Sequence, residues 1–204
     1  MRDSAGFDLW ADGYDQSVGR SDEADCYPFA GYKKLLNEIF NRVLSRGYAE
    51  VLDLGFGTAA LTARLYERGL TVWGQDFSRQ MLESAQAKMP GAKLFLKDFS
   101  QGLAEELKVR RFDAVISTYA LHHLPDPGKI GLLRELLGLL NPGGSVLIGD
   151  VAFATRAELE ACRASSPDWD EAEFYFVYEE FAPHFPNSTF TPMSSCAGLI
   201  EIRP

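Results

Sequence analysis

Cysteine is scarce in this 204-residue sequence, which has only Cys26, Cys162 and Cys196. The three are far apart and odd in number, so they do not form the framework of a disulfide-stabilised secreted domain. No pair has the short spacing typical of metal ligands. We therefore expect reduced thiols, a cytoplasmic location and no metal site.

Long apolar runs and excess positive charge are also missing. No stretch reaches the roughly 20 apolar residues that span a membrane, and the acidic beginning MRDSAGFDLWADGYD does not resemble a secretory signal. Asp and Glu number 29 against 20 Lys and Arg, a formal net charge of −9. An acidic surface repels phosphate backbones, so neither nucleic acid nor a membrane is an expected partner.

The sequence does contain alternating strand and helix patterns, from about residue 32 to residue 165. This alternation predicts an α/β fold with a parallel sheet and helices on both faces. NPGG at 141–144 is predicted to be a turn, and residues 171–183 suggest a helix. STFTPMSS and AGLIEIR then follow each other closely, and strands joined so closely must be antiparallel. We expect one domain over 1–204, with an N-terminal segment (1–47) preceding a core (48–204).

The segment VLDLGFGTAALTARL at 51–65 is typical of a buried strand, a glycine turn and a helix running from about 58 to 68. Gly55 and Gly57 allow a sharp turn and the close approach of a ligand. With Ala60, they satisfy the loose dinucleotide fingerprint G-x-G-x-x-G/A. Ala59 is expected to have an ordinary helical φ. If its φ were positive, or if a cofactor touched its Cα, the methyl group would weaken binding.

Carboxylates occur in or at the end of three successive predicted strands. Asp76 follows Gly57 by 19 residues, where a carboxylate can accept both hydroxyls of a ribose. The carboxylate of Asp98 can accept a hydrogen bond from the exocyclic amine of an adenine, and the following Phe99 can form an apolar wall beside the adenine ring. Asp53 lies within the first strand, where a carboxylate facing the pocket favours a ligand with positive charge, such as an ammonium or a sulfonium, over a pyrophosphate.

The motifs DLGFGTA, GQDFSRQML, KDFS, FDAVISTYALHHLPD and LNPGGSVLI together resemble the successive motifs of class I S-adenosylmethionine-dependent methyltransferases. The resemblance spans about residues 7 to 203. FDLWADGYDQSV and the C-terminal tail are similar to small YrrT-like methyltransferases. The resemblance implies a Rossmann-like, doubly wound sheet of seven strands in the order 3-2-1-4-5-7-6, with strand 7 antiparallel.

The resemblance also implies a cofactor, S-adenosyl-L-methionine, and a role for each matching position. Gly55 and Gly57 would contact the cofactor through their backbone, and Asp53 would lie near its methionyl ammonium, directly or through water. Asp76 would hold the ribose. The remaining implied contacts are Phe77 and Met81 beside the adenine, Asp98 at the adenine amine, and Ser117 or Thr118 at the methionyl group.

Methyl transfer from a sulfonium is an in-line displacement that depends on alignment, and it needs a base only if the acceptor must lose a proton. His122, His123 and Asp150 are the catalytic candidates; packing and wall lining are the competing interpretation of the histidines. The aromatic residues between Phe7 and Tyr32 suggest a lid over the cofactor, with Trp10 and Tyr14 as its expected cofactor contacts.

A small-molecule acceptor is expected because no insertion could form a substrate domain, and the protein is expected to be a monomer or a homodimer. Two alternatives stay open. One is a module that binds S-adenosylmethionine without turnover. The other is an NAD(P)-dependent oxidoreductase, against which Asp53 and the C-terminal strand pair argue.

Overall fold

The computed structural model describes residues 26–204, which form one mixed sheet flanked by helices. The strand order is β3-β2-β1-β4-β5-β8-β7, and a two-residue strand, β6, pairs with the end of β5. The strands are β1 (Glu50–Leu54), β2 (Thr71–Asp76), β3 (Lys93–Leu96), β4 (Phe112–Thr118), β5 (Leu140–Phe153), β6 (Phe176–Val177), β7 (Ser188–Pro192) and β8 (Ala197–Ile202).

The predicted topology is confirmed. Strands β1 to β5 pair in parallel, and β8 is antiparallel to both β5 and β7. Leaving β6 aside, this is the expected seven-strand order 3-2-1-4-5-7-6 with the last strand antiparallel.

Helices cover both faces of the sheet, so its central strands are buried on both sides, as parallel sheets require. Val51 belongs to one hydrophobic cluster and its neighbour Leu52 to the other. The helices are α1 (Tyr32–Ser45), α2 (Thr62–Glu67), α3 (Arg79–Lys88), α4 (Glu105–Lys108), α5 (Asp126–Leu137), α6 (Arg156–Ser165) and α7 (Tyr178–Phe181), with short 3₁₀ turns at Phe99–Gln101, Leu121–His123 and Ala182–His184. Within residues 26–204, none of these helices is long and apolar enough to cross a membrane.

Three local predictions need correction. Residues 171–183 do not form one helix: Phe176 and Val177 are buried and pair with Ala152 and Phe153, so packing against β5 overrides local helix propensity. NPGG lies inside β5, where the register with β4 shifts. The helix after the glycine turn begins at Thr62 instead of about 58, because the turn itself extends over the intervening residues.

Candidate functional site

The glycine turn after β1 needs its two glycines for different reasons. Gly55 has φ +72°, and a Cβ at this position would lie 2.4 Å from the Cβ of Ala120. Gly57 has φ +50°, but a Cβ there would meet nothing within 4 Å and would project into open space. Gly55 is thus required for packing, whereas the bare backbone of Gly57 leaves room beside the turn.

The expectation of a helical φ at Ala59 is wrong, since its φ is +59°. The left-handed conformation places Cβ too close to the following carbonyl and costs roughly 1–2 kcal/mol. Ala59 is fully buried in a hydrophobic cluster with Phe56, Val72 and Met81, and it does not line the cavity beside the turn. The methyl group therefore packs in the core, away from the place where a ligand would lie.

Asp53 is the most unusual acidic group of the site. Its side chain is 1% exposed, and its Oδ2 accepts a hydrogen bond from the Thr62 hydroxyl. Its Oδ1 is buried and has no hydrogen-bond partner. Burial raises the pKa of Asp53 to about 7; the Thr62 hydroxyl partly opposes this rise, and the charge of Asp76 adds to it. A buried carboxylate with a free oxygen at a cavity wall favours a cationic group.

Asp76 joins the glycine turn to the next helix. Its Oδ2 accepts from the Gly57 N–H at 2.9 Å, and its Oδ1 accepts from the Ser78 N–H at 2.9 Å. Each carboxylate oxygen can accept more than one hydrogen bond, and Asp76 also lines the cavity beside the glycine turn. Ser78 caps α3 by accepting from the Met81 N–H at 3.2 Å.

Two cavities meet at this edge of the sheet, sharing Phe77, Phe99 and His123 as walls. The first lies beside the glycine turn, and the second extends past Asp98, whose Oδ1 accepts from the Ser100 N–H at 2.8 Å. Among the residues predicted for the cofactor, those lining the first cavity are Asp53, Gly55, Gly57, Asp76, Phe77, Met81, Phe99 and Thr118.

Of the other predicted positions that the structure describes, Asp98 lines the second cavity and Ser117 lines neither. Ser117 is buried and donates its hydroxyl to the Leu54 carbonyl at 2.8 Å, so Thr118 forms the wall at the end of β4. Trp10 and Tyr14 lie outside the described residues, and their roles stay predictions.

The described part of the aromatic segment packs over the cavity and beside it. Tyr32 lines the first cavity and lies 5.3 Å, ring centroid to ring centroid, from Tyr119. Tyr27 stacks on Trp169 at 5.0 Å, which joins the segment to the loop after α6. Tyr119, directly after β4, has φ +49°, and its role as a cavity wall was missed from the sequence. Sparsely populated backbone conformations of this kind cluster at functional sites.

The catalytic candidates come together with a residue that the sequence did not signal, Glu173. His122 Nδ1 lies 2.5 Å from Asp150 Oδ1, and His122 Nε2 lies 3.4 Å from Glu173 Oε2. The same Glu173 oxygen lies 2.9 Å from His123 Nδ1. Burial opposes protonation of His122, but the carboxylates of Asp150 and Glu173 outweigh it and raise the pKa of the imidazole.

The buried Lys129 lies close to this group. Its ammonium is 0% exposed and donates to Asp126 Oδ1 at 2.9 Å and to the Phe174 carbonyl. Burial lowers the pKa of Lys129, although Asp126 opposes the shift. Because Lys129 holds the backbone beside Glu173, it fixes the loop that carries this carboxylate to the histidines.

Comparison with known proteins identifies the family. Residues 51–144 match the family model described as a methyltransferase domain. A protein of Geobacillus thermodenitrificans named an uncharacterized methyltransferase is 36% identical over 193 residues, covering 91% of this chain and 87% of the relative. One of Anoxybacillus flavithermus, with the same name, is 33% identical over 207 residues, covering 96% and 94%.

Solved structures show the same fold at low sequence identity. Streptomyces venezuelae DesVI has a TM-score of 0.70 at 17% identity, with 95% of this chain and 98% of that chain covered. The DhpI complex with SAH has a TM-score of 0.69 at 20% identity, with 98% and 94% covered. With the motifs, the topology and relatives more than 30% identical in agreement, this chain belongs to the class I S-adenosylmethionine-dependent methyltransferase family.

Proposed function

We propose that this protein transfers a methyl group from S-adenosylmethionine to a small-molecule acceptor by in-line displacement. The observation that carries the proposal is Asp53, whose buried Oδ1 has no hydrogen-bond partner at the wall of the cavity beside the glycine turn. A cofactor with a methionyl ammonium supplies a positively charged partner for this carboxylate. A pyrophosphate does not, and family membership likewise argues against the oxidoreductase alternative.

The other residues of the cavity fit the rest of such a cofactor. Gly57 leaves open space beside its backbone, where a ligand can approach closely. Asp76 is proposed to accept hydrogen bonds from the ribose hydroxyls. Phe77, Met81 and Phe99 offer apolar surface to the adenine, and Asp98 stands in the adjoining cavity as the proposed acceptor for its amine.

The bound cofactor supplies a methyl group already activated on sulfonium, so the chain's main task is alignment and the exclusion of water. Tyr32, Thr118 and Tyr119 line the first cavity near the end of β4, and with the N-terminal segment they are proposed to enclose the reacting atoms. His123 lines both cavities and is the imidazole best placed to meet an acceptor. Asp150 contacts His122, so its proposed influence is exerted through that imidazole.

Calorimetry with S-adenosylmethionine, S-adenosylhomocysteine, NAD and NADP tests the cofactor assignment. We expect binding of the first two only, and Asp53→Asn should weaken binding about tenfold to a hundredfold, since hydrogen bonds to charged groups contribute about 1.5–3 kcal/mol. Binding of NAD or NADP alone would overturn the proposal.

A screen of a metabolite pool for S-adenosylhomocysteine release and a methylated product tests turnover. Cofactor binding without any methylated product would favour the non-catalytic module instead. Once an acceptor is known, His123→Ala should slow single-turnover methyl transfer; an unchanged rate would remove His123 from the reaction.

A further inference from the structure

We propose that His122, His123 and Glu173 form a binding site for a divalent transition-metal ion of the zinc type. One ligand atom from each of these residues lies within 4.8 Å of the others. Cysteine spacing could not indicate such a site, because adjacent histidines from the turn after β4 meet a carboxylate 50 positions later in the chain. The earlier expectation of no metal rested on the cysteines alone.

Two of the distances between the ligand atoms are close to those of tetrahedral coordination. Metal–nitrogen and metal–oxygen bonds of about 2.0–2.1 Å place neighbouring tetrahedral ligands roughly 3.3 Å apart. His122 Nε2 and Glu173 Oε2 are 3.4 Å apart, and His123 Nδ1 and the same oxygen are 2.9 Å apart. A small outward movement of His123, which is only partly buried, opens the second distance to the required value.

Asp150 provides the supporting contact that metal-bound histidines usually have. Its Oδ1 lies 2.5 Å from His122 Nδ1, an arrangement that fixes the proton on Nδ1 and leaves the Nε2 lone pair facing Glu173. Carboxylate–histidine–metal arrangements of this type orient the ligand and increase its basicity. Asp150 is 1% exposed, so water does not compete for this contact.

Charge balance also favours a doubly charged cation. Lys129 forms an ion pair with Asp126, so these two nearby charges offset each other. Two further carboxylates, Asp150 and Glu173, face the two imidazoles. Imidazole ligands favour zinc-like ions over magnesium and calcium, which prefer oxygen ligands throughout.

A metal ion held by these three protein ligands would keep a fourth coordination position beside His123, which lines both cavities. Three protein ligands with one open position are typical of catalytic zinc. An acceptor hydroxyl or thiol coordinated there would lose its proton to solvent. The resulting anion would attack the methyl carbon, while the carbon–sulfur bond of the sulfonium breaks and leaves a neutral thioether. This role for the acceptor rests on the proposed function, whereas metal binding itself does not.

Titration of the chelator-treated full chain with zinc sulfate and with cobalt chloride tests the site. We expect one ion per chain, intense visible absorption from four-coordinate cobalt, and no comparable binding of magnesium. Glu173→Gln and His123→Ala should weaken zinc binding at least a hundredfold, and Asp150→Asn about tenfold to a hundredfold. Circular dichroism of each variant verifies that it is folded.

His184→Ala and Cys26→Ser are the matched controls, because both side chains are exposed and lie outside the cluster. They should bind zinc like the unmodified chain. Absence of stoichiometric binding, full binding by Glu173→Gln, or loss of binding in Cys26→Ser would each overturn the proposal. S-adenosylmethionine binding is measured on the same samples, so failure of the metal site and failure of the proposed cofactor site are distinguishable.

Discussion

Replacing Asp53 by asparagine should make the ligand-free protein more stable at neutral and alkaline pH. Burial raises the pKa of this carboxyl to about 7 from an ordinary value of 3.8. A group whose pKa is higher in the folded state binds its proton more tightly there, so stability falls as pH rises between the two values. At pH 8 the buried charge costs about 4 kcal/mol relative to the neutral group, and at pH 5 about 1.5 kcal/mol.

Asparagine has nearly the same shape as the protonated acid, and its amide oxygen can still accept from the Thr62 hydroxyl. The gain from Asp53→Asn should therefore approach 4 kcal/mol at pH 8, roughly 10 °C in Tm for a chain of this size, and should shrink towards pH 5. Urea denaturation of both proteins at pH 5, 6.5 and 8 measures the difference.

Asp113 provides a control of opposite sign. Its carboxylate accepts hydrogen bonds from the Ala49 and Glu50 N–H groups and from Asn141, and these outweigh its partial burial and lower its pKa. Asp113→Asn should destabilise the protein at pH 8. If Asp53→Asn and the unmodified protein unfold with equal free energy at both pH 5 and pH 8, the assignment of a buried, unpartnered charge is refuted.

The same carboxyl should control how cofactor affinity depends on pH. Below about pH 7 the ligand-free Asp53 holds a proton, which must leave before the carboxylate can pair with an ammonium. Affinity for S-adenosylmethionine should rise by up to tenfold per pH unit from pH 5.5 to 7, and this rise should be absent in Asp53→Asn. An equal slope in both proteins would contradict the pairing.

Three further predictions concern other parts of the structure. Gly57→Ala should abolish most cofactor binding, because the added Cβ enters the cavity that Gly57 lines. Gly69→Ala is the control, since Gly69 has φ +86° and open space where a Cβ would lie. This variant should lose a similar amount of stability but bind the cofactor normally in calorimetry. Ala59→Gly should change the free energy of unfolding by no more than about 1 kcal/mol. Glycine relieves the strain of the left-handed backbone, but the variant also loses a buried methyl group and has a more flexible unfolded chain. Its cofactor affinity should be unchanged. Glu201→Gln should cost about 2 kcal/mol at pH 7 in urea denaturation. Arg46 and Arg203 outweigh the burial of Glu201 and lower the pKa of its carboxyl, so this loss should vanish as pH falls below about 4.

Sequence periodicity was sufficient for most of the fold because the central strands are buried on both faces and the turns carry glycine. It failed where long-range pairing decided the conformation. Phe176 and Val177 have no local pattern that separates a short strand from a helix, and only their pairing with the end of β5 makes them extended. Such pairings become visible only when the chain is folded.

The residues of the candidate site also differ in whether the sequence alone could place them. Asp53, Asp76 and Asp98 could be placed from the sequence because the ends of parallel strands meet at one edge of the sheet. Glu173 could not, since it lies in a loop with no periodic pattern and reaches His122 and His123 only through the packing of that loop, to which the buried Lys129 contributes. Adjacent histidines alone do not reveal which carboxylate will face them.

Ala59 shows that even a local backbone conformation can depend on distant packing. The sequence favoured a helical φ because alanine rarely adopts the left-handed region, and the following residues are good helix formers. The turn must, however, bring the Gly57 N–H to Asp76 and deliver the chain to Thr62, where α2 begins. The Ala59 N–H donates to the Phe56 carbonyl at 2.8 Å, and its methyl fills the cluster beneath the turn. Glycine at position 59 would adopt this conformation more easily but would leave that space empty. Alanine therefore accepts backbone strain in return for better core packing, and its methyl group does not alter the wall of the cavity beside the turn.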